Sequence, residues 1–308
     1  VRSGNGHTPQ PDPGPSASCR TLDGRRDPKR DTIGLMTAMS TGPSTVSASP
    51  VAADRLRQAA VALSAVLGLA AAALGSGGLA GRPVTEVAGG VLDTDATLVA
   101  PAGPAFAIWG LIYTGLIVLA VFQLLPSRAA DPRQRAAGWW IAASGLLNAA
   151  WIGAVQGELL WVSVALIAGL LAVLVIALRR LDDPRASTRA EQVIVDGTLG
   201  VYLGWVCIAT VANTAAALVW SGMAPTGGTA TTLAVAVLAV AAVVGVVLAF
   251  GMRRTAPGLA LAWGLVWVGV ERLTATPEST LVGATALLAA AVSAGCALVV
   301  AVLRGRRS

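Results

Sequence analysis

Apolar residues along this chain come in long unbroken runs separated by short polar segments. They do not form the 3.6-residue stripes of a water-facing helix or the alternation of a half-buried strand. Scanned with a window of about 19 residues, the sequence shows eight runs, near 57–80, 104–125, 136–156, 159–178, 193–219, 230–251, 257–271 and 281–303. A helix needs about 20 residues to cross about 30 Å of hydrocarbon, and each run except the seventh reaches that length without help from its flanks. The pattern predicts an all-α fold, a polytopic membrane bundle of about eight transmembrane helices. Ahead of it, residues 1–54 are rich in Pro, Ser, Thr, Gly and Arg and carry no apolar periodicity, so a disordered N-terminal tail is expected there. Met36 and Met39 offer later starts, and part of the tail is expected to be an over-extended reading of the gene.

Composition narrows the function classes. Only 12% of the residues are charged and 55% are hydrophobic, against about 25% charged in an average soluble domain. Too little polar surface remains to cover a globule in water, which excludes a soluble enzyme. The net charge of +6 is spread over short loops and is not gathered on an aromatic-studded face, so no nucleic-acid partner is expected. Lys29 is the only lysine among many arginines, and Ala, Gly and Val dominate the runs, as in a high-GC bacterial gene. Cys19, Cys207 and Cys296 lie far apart and His7 sits in the tail. That leaves no disulfide framework, no metal site and no permanently bound His-ligated haem or other cofactor. Without a nucleophile–base pair or paired carboxylates in the runs, the chain is not expected to be an enzyme.

Arginine placement gives a topology. Taking alternate loops and span ends together, fourteen arginines lie on one side, from Arg55 and Arg57 through Arg128, Arg133, Arg135 and Arg254 to Arg307, while only Arg82 and Arg272 lie on the other. With eight spans the positive-inside rule then puts both termini in the cytoplasm, in a bacterial inner membrane. The 81–103 segment, with Glu86, Asp93 and Asp95, becomes the longest external loop and a candidate lid. Two sets of charges fall within or beside spans. Asp196 reads as an interfacial, solvated carboxylate with a proton-coupling role as the alternative, and Glu271–Arg272 reads as interfacial anchoring.

The nine tryptophans are the most informative side chains. Trp139, Trp140, Trp161 and Trp220 fall near span ends and suit an interfacial belt. Deeper in the spans, Trp109 and Tyr113 share a helix face, as do Asn148 and Trp151, and Tyr202, Trp205, Ala209 and Asn213 form one stripe. Gly200 and Gly204 add a GxxxG spacing that lets a neighbouring helix approach closely. Taken singly, each of these groups reads more readily as glue between helices. Taken together, they would line an apolar cavity with a few directional polar groups, as small-molecule sites are lined.

The order of these residues resembles the TspO/MBR family of tryptophan-rich sensory proteins. The resemblance rests on Pro101, Gly103, Trp109 and Ile112–Tyr113 in the second run, Leu147–Asn148 and Trp151 in the third, and Tyr202, Trp205, Ala209 and Asn213 in the fifth. Val201 departs from it, standing where the family usually has Pro. The resemblance implies a five-helix unit over residues 55–220; the three additional transmembrane helices and basic tail at 221–308 depart from it and mark an extended branch. The resemblance also implies a pocket for porphyrins, haem-type or other hydrophobic small molecules, often in a homodimer, with the first external loop closing over it. Carried over residue by residue, the ligand-binding positions are Trp109, Tyr113, Asn148, Trp151, Tyr202, Trp205 and Asn213. A minor implication is oxidative porphyrin breakdown. A transporter of a small apolar or weakly polar metabolite and a structural membrane subunit stand as alternatives.

Overall fold

Among the described residues, eight α-helices account for the eight apolar runs. The computed structural model describes residues 50–78 and 81–306. The helices are α1 (Ala52–Gly75), α2 (Ile108–Leu124), α3 (Pro132–Gln156), α4 (Leu160–Arg180), α5 (Arg189–Trp220), α6 (Gly227–Met252), α7 (Ala256–Thr274) and α8 (Thr280–Gly305). No strand occurs among the described residues. Positions 1–49 of the expected tail lie outside the described residues, and 52–54 already belong to the first turn of α1.

Seven of the eight helices are long and apolar enough to cross a membrane. α7 is the exception, although for a different reason from the one its sequence suggests. At 19 residues it is long enough, but Pro257, its glycines and the Glu271–Arg272 pair dilute its apolar character. Its Leu261, Leu265 and Val268 are buried against protein, so little of it has to face lipid.

Polar residues mark where the helices begin. Asp131 caps α3 by accepting from the backbone N–H groups of Arg133 (2.8 Å) and Gln134 (3.4 Å), with Pro132 in the first turn, where its missing N–H costs nothing. Ser279 caps α8 through the N–H of Val282. Thr188 caps α5, whose first turns widen into a π-type stretch at Gln192–Gly197 before the regular helix resumes at Thr198. Such a widening re-aims the side chains it carries, here Asp196.

The helices do not pack in chain order. α1 lies on α3, α3 on α4, α4 on α5, α5 on α7, α7 on α8 and α8 on α6, while α5 and its sequence neighbour α6 meet along only a short stretch. The Gly200/Gly204 spacing is used inside the chain. A Cβ on Gly204 would collide with the carbonyl of Pro257, and one on Gly200 would press on Ala256 at 2.8 Å, so this face seats α7 and is closed to a second copy.

Side-chain bonds between loops show that successive helices reverse direction. At one end, Arg57 at the start of α1 donates to Gln123 Oε1 (3.0 Å) and Ala129 O (2.8 Å), and Arg135 forms a salt bridge with Asp54 (2.6 Å). Arg179 reaches Gly251 O, and Arg304 reaches Arg253 O. At the other end, Arg82 pairs with Glu158 (2.8 Å) and Trp161 Nε1 donates to Ser221 Oγ (2.8 Å).

The centre of the first end is Arg133, which is almost fully buried. It donates to Glu191 (2.9 Å), to both oxygens of Asp196 (2.9 and 3.0 Å), and to the carbonyls of Leu181 and Pro184. Asp196 also pairs with Arg254, which in turn binds Asp182 at 2.9 Å. Burial pulls the Arg254 guanidinium below its ordinary value, and Asp182 opposes that pull. Asp196 is therefore not the solvated carboxylate its position suggests: the π-type stretch turns it into the bundle, where two guanidiniums replace water.

Candidate functional site

Trp109 is the hub of the site. The 3₁₀ turn Gly103–Ala107 delivers the chain into α2 so that Trp109 faces α3 and α5. Its ring stacks on Tyr113 (centroids 5.3 Å apart) and Trp151 (6.1 Å), and meets Tyr202 (6.0 Å) and Trp205 (6.2 Å) edge-on. Phe106, one turn earlier, meets Trp205 at 5.6 Å. Parallel rings on one side and perpendicular rings on the other satisfy the quadrupole preference of aromatic pairs.

Two amides hold this cluster in register. Asn148 donates to the Tyr113 hydroxyl (3.0 Å). Asn213 Oδ1 accepts from Trp151 Nε1 (3.1 Å), and its Nδ2 donates to Ser163 Oγ (2.9 Å). Tyr202 OH lies 3.5 Å from Ser144 O, at the limit of a hydrogen bond. All seven positions singled out by sequence thus meet around one centre. Asn148, Trp151, Tyr202, Trp205 and Asn213 are buried, and Trp109 and Tyr113 are half-buried. Phe106 and Ser163 were not singled out. Phe106 lies three residues before Trp109 on the same face, and Ser163 is a rare hydroxyl in an otherwise aliphatic helix, so each left a weak signal.

The polar accounting of the cluster does not close. Trp205 Nε1, a donor, and Asn148 Oδ1, an acceptor, are buried without a hydrogen-bond partner among the described residues. An orphaned polar atom costs about 1–3 kcal/mol, and a bilayer supplies no water to offset it.

Free space lies beside the cluster more than within it. The interior chamber, bounded by Trp109, Trp151, Trp205, Asn213 and the first loop, has about 40 Å³, room for a water or two. A second space of about 540 Å³ opens between α1 and α2. It shares Val84, Phe106, Trp109 and Trp151 with the chamber and is bounded opposite by Leu69, Ala72 and Gly75. That volume is in the range of small-molecule sites, about 300–1,000 Å³.

The first loop roofs both spaces, and α7 holds it in place. Val87, Ala88, Val99 and Ala100 are buried. Arg272, completely buried, donates to Thr94 O (2.7 Å) and Pro277 O (3.0 Å), while Glu271 stays 3.7 Å away. Trp263 Nε1 donates to Ala105 O (3.0 Å), and Ala102 N donates to Trp267 O (3.2 Å). Arg272 is therefore a clamp on the loop and not the interfacial anchor its sequence position suggests, because two loop carbonyls capture its guanidinium. Replacing Arg272 with Gln is expected to speed amide hydrogen exchange across 84–100 by about tenfold or more, since hydrogen bonds to charged groups contribute about 1.5–3 kcal/mol. Exchange in α2–α4 should not change. An unchanged loop would mean that the clamp carries no weight.

The family model described as TSPO-like protein matches residues 59–300, from α1 into α8. No curated protein and no solved structure matches the chain.

Proposed function

The chain belongs to the TSPO-like protein family, and on that premise we propose that it is a membrane binding or sensor protein whose aromatic groove takes a flat hydrophobic ligand of the porphyrin or tetrapyrrole type. The observation that carries this reading is the stacked Trp109–Trp151 wall beside a space of about 540 Å³, with an unpartnered Trp205 N–H and an unpartnered Asn148 carbonyl in the same cluster. A planar macrocycle would lie against Trp109, Trp151 and Tyr113, the rings that border that space. The interior chamber is too small for such a ligand, so binding would use the space beside α1 and the loop above it. Nothing in this arrangement calls for a general acid, base or nucleophile, and we assign no catalytic role.

In the same reading the arginine-rich end faces the cytoplasm of a bacterium with both termini inside, and the clamped loop faces outward. A transporter coupled through Asp196 is the weaker reading, because a coupling carboxylate has to exchange its proton and both oxygens of Asp196 are held by Arg133. Ala72 borders that space opposite the indoles, and Ala72→Phe would fill it. The expected result is loss of saturable protoporphyrin binding in a fluorescence titration, with little change in melting temperature. Unchanged affinity would place the ligand elsewhere.

A further inference from the structure

Three helices, α4, α6 and α8, end together at the arginine-rich end of the bundle, and each brings an arginine to the same place. Arg179, in the last turn of α4, donates through Nη1 to Gly251 O (3.3 Å). Arg304, in the last turn of α8, donates through Nη1 to Arg253 O (2.8 Å). Both guanidiniums therefore converge on the last residues of α6. Arg253 follows that helix directly in a left-handed backbone conformation (φ 52°), which glycine adopts freely and arginine at a cost.

The first use of these contacts is structural. A helix leaves its last carbonyls without donors from its own turns, and an arginine near its C-terminus satisfies them and complements its dipole. Only one of the five N–H groups of Arg179, and one of those of Arg304, is consumed in this way. Arg179, Arg253 and Arg304 are all exposed, and none has an ion-pair partner among the described residues. The neighbouring Asp182 and Asp196 are already paired with Arg254. Asp183, the other carboxylate of the α4–α5 loop, is set between Arg180 and Arg185 in the sequence.

Below the three arginines the surface is apolar and faces outward. Val247 and Phe250 of α6 and Val299 and Leu303 of α8 are exposed. α4 and α6 scarcely touch along their length and are tied at this end by Arg179 and by Arg254, which donates to Leu178 O (3.2 Å). An occupant that suits this place puts negative charge at the helix ends and hydrocarbon against the flank of α6. An acidic protein segment meets only the first demand, and a neutral lipid only the second.

We propose that Arg179, Arg253 and Arg304 form a binding site for an anionic phospholipid, with its phosphate at the guanidiniums and an acyl chain along α6. Guanidinium forks match phosphate oxygens, and basic sites between helix ends are suited to such headgroups. Because backbone carbonyls already hold two of the three guanidiniums, the site is ordered before the lipid arrives. It is separate from the aromatic groove and does not depend on it.

Native mass spectrometry of the full-length protein, released from detergent with added phosphatidylglycerol or phosphatidylcholine of matched chains, tests the site. One phosphatidylglycerol should be retained about tenfold or more tightly than phosphatidylcholine. Arg179→Gln and Arg304→Gln should each weaken that retention about fivefold, the contribution of one arginine near an anionic headgroup, and leave phosphatidylcholine unchanged. Arg253→Gly should weaken it as much while leaving the melting temperature unchanged or raised, because glycine suits the left-handed position; this variant separates binding from folding. Arg55→Gln removes an exposed arginine of the same end from α1, which packs on α3 and not on α4, α6 or α8, and should have no effect. Equal retention of the two lipids, or a loss with Arg55→Gln as large as with Arg304→Gln, would overturn the proposal by reducing the arginines to a diffuse field. Displacement of the lipid by inorganic phosphate at matched concentration would overturn it by making the site one for free phosphate.

Discussion

Replacing Arg133 with Met is expected to destabilise the bundle by about 3–5 kcal/mol, the range found when one partner of a buried ion pair is removed. The aliphatic stem would keep its volume, but Glu191 and Asp196 would lose the group that neutralises them, and the Leu181 and Pro184 carbonyls would lose their donor. Arg128 lies 3.5 Å from Glu191 and Arg254 also pairs with Asp196, so the carboxylates would be weakened rather than abandoned. Against a typical total of about 5–15 kcal/mol, the loss should appear as a large fall in the melting temperature of the detergent-solubilised protein. Adding Asp196→Asn should recover part of it by removing one of the stranded charges. An unchanged melting temperature would mean that the cluster is ornamental.

Trp109→Ala should have the second-largest effect, on both stability and binding. Truncating a buried aromatic residue costs about 3–5 kcal/mol. The half-buried indole of Trp109 belongs at the lower end of that range, but its four ring partners would lose their common neighbour. Each aromatic pair contributes about 0.5–1.5 kcal/mol beyond its buried area. Protoporphyrin binding should fall by more than about tenfold even at temperatures where the variant is fully folded, because the stacking wall would be gone. Trp109→Phe should recover most of the stability and part of the binding. If Trp109→Ala melted lower yet bound normally, the rings would be helix glue and the site would lie elsewhere.

Much of the fold was legible because a span is a local property. Each apolar run is readable without knowing its neighbours, and the observed helices begin and end within a few residues of the runs. The seven aromatic and amide positions were legible for a similar reason: the spacing between Trp109 and Tyr113, or between Trp205 and Asn213, sets a helix face whatever that face meets.

What stayed hidden depended on partners distant in sequence. The fate of Asp196 is set by Arg133, 63 residues earlier, and by a π-type stretch that no apolar pattern announces. Arg272 reaches a carbonyl 178 residues away, so its adjacency to Glu271 pointed the wrong way. Trp263 and Trp267 stand four residues apart in the sequence, but their use in holding the start of α2 depends on α7 docking on α5. The Gly200/Gly204 spacing announced a close helix contact without saying that the contact was with the chain's own α7.

Specific binding of a porphyrin-type ligand in the aromatic groove can be read from an equilibrium titration in nanodiscs. Protoporphyrin IX is added to the full-length protein and, in parallel, to empty nanodiscs, following tryptophan quenching and the porphyrin absorption band. Saturable quenching at one ligand per protein is expected, with a band shift absent from the empty nanodiscs. Linear, unsaturated quenching with the same spectrum in both samples would show that porphyrin only partitions into lipid, and would contradict specific binding.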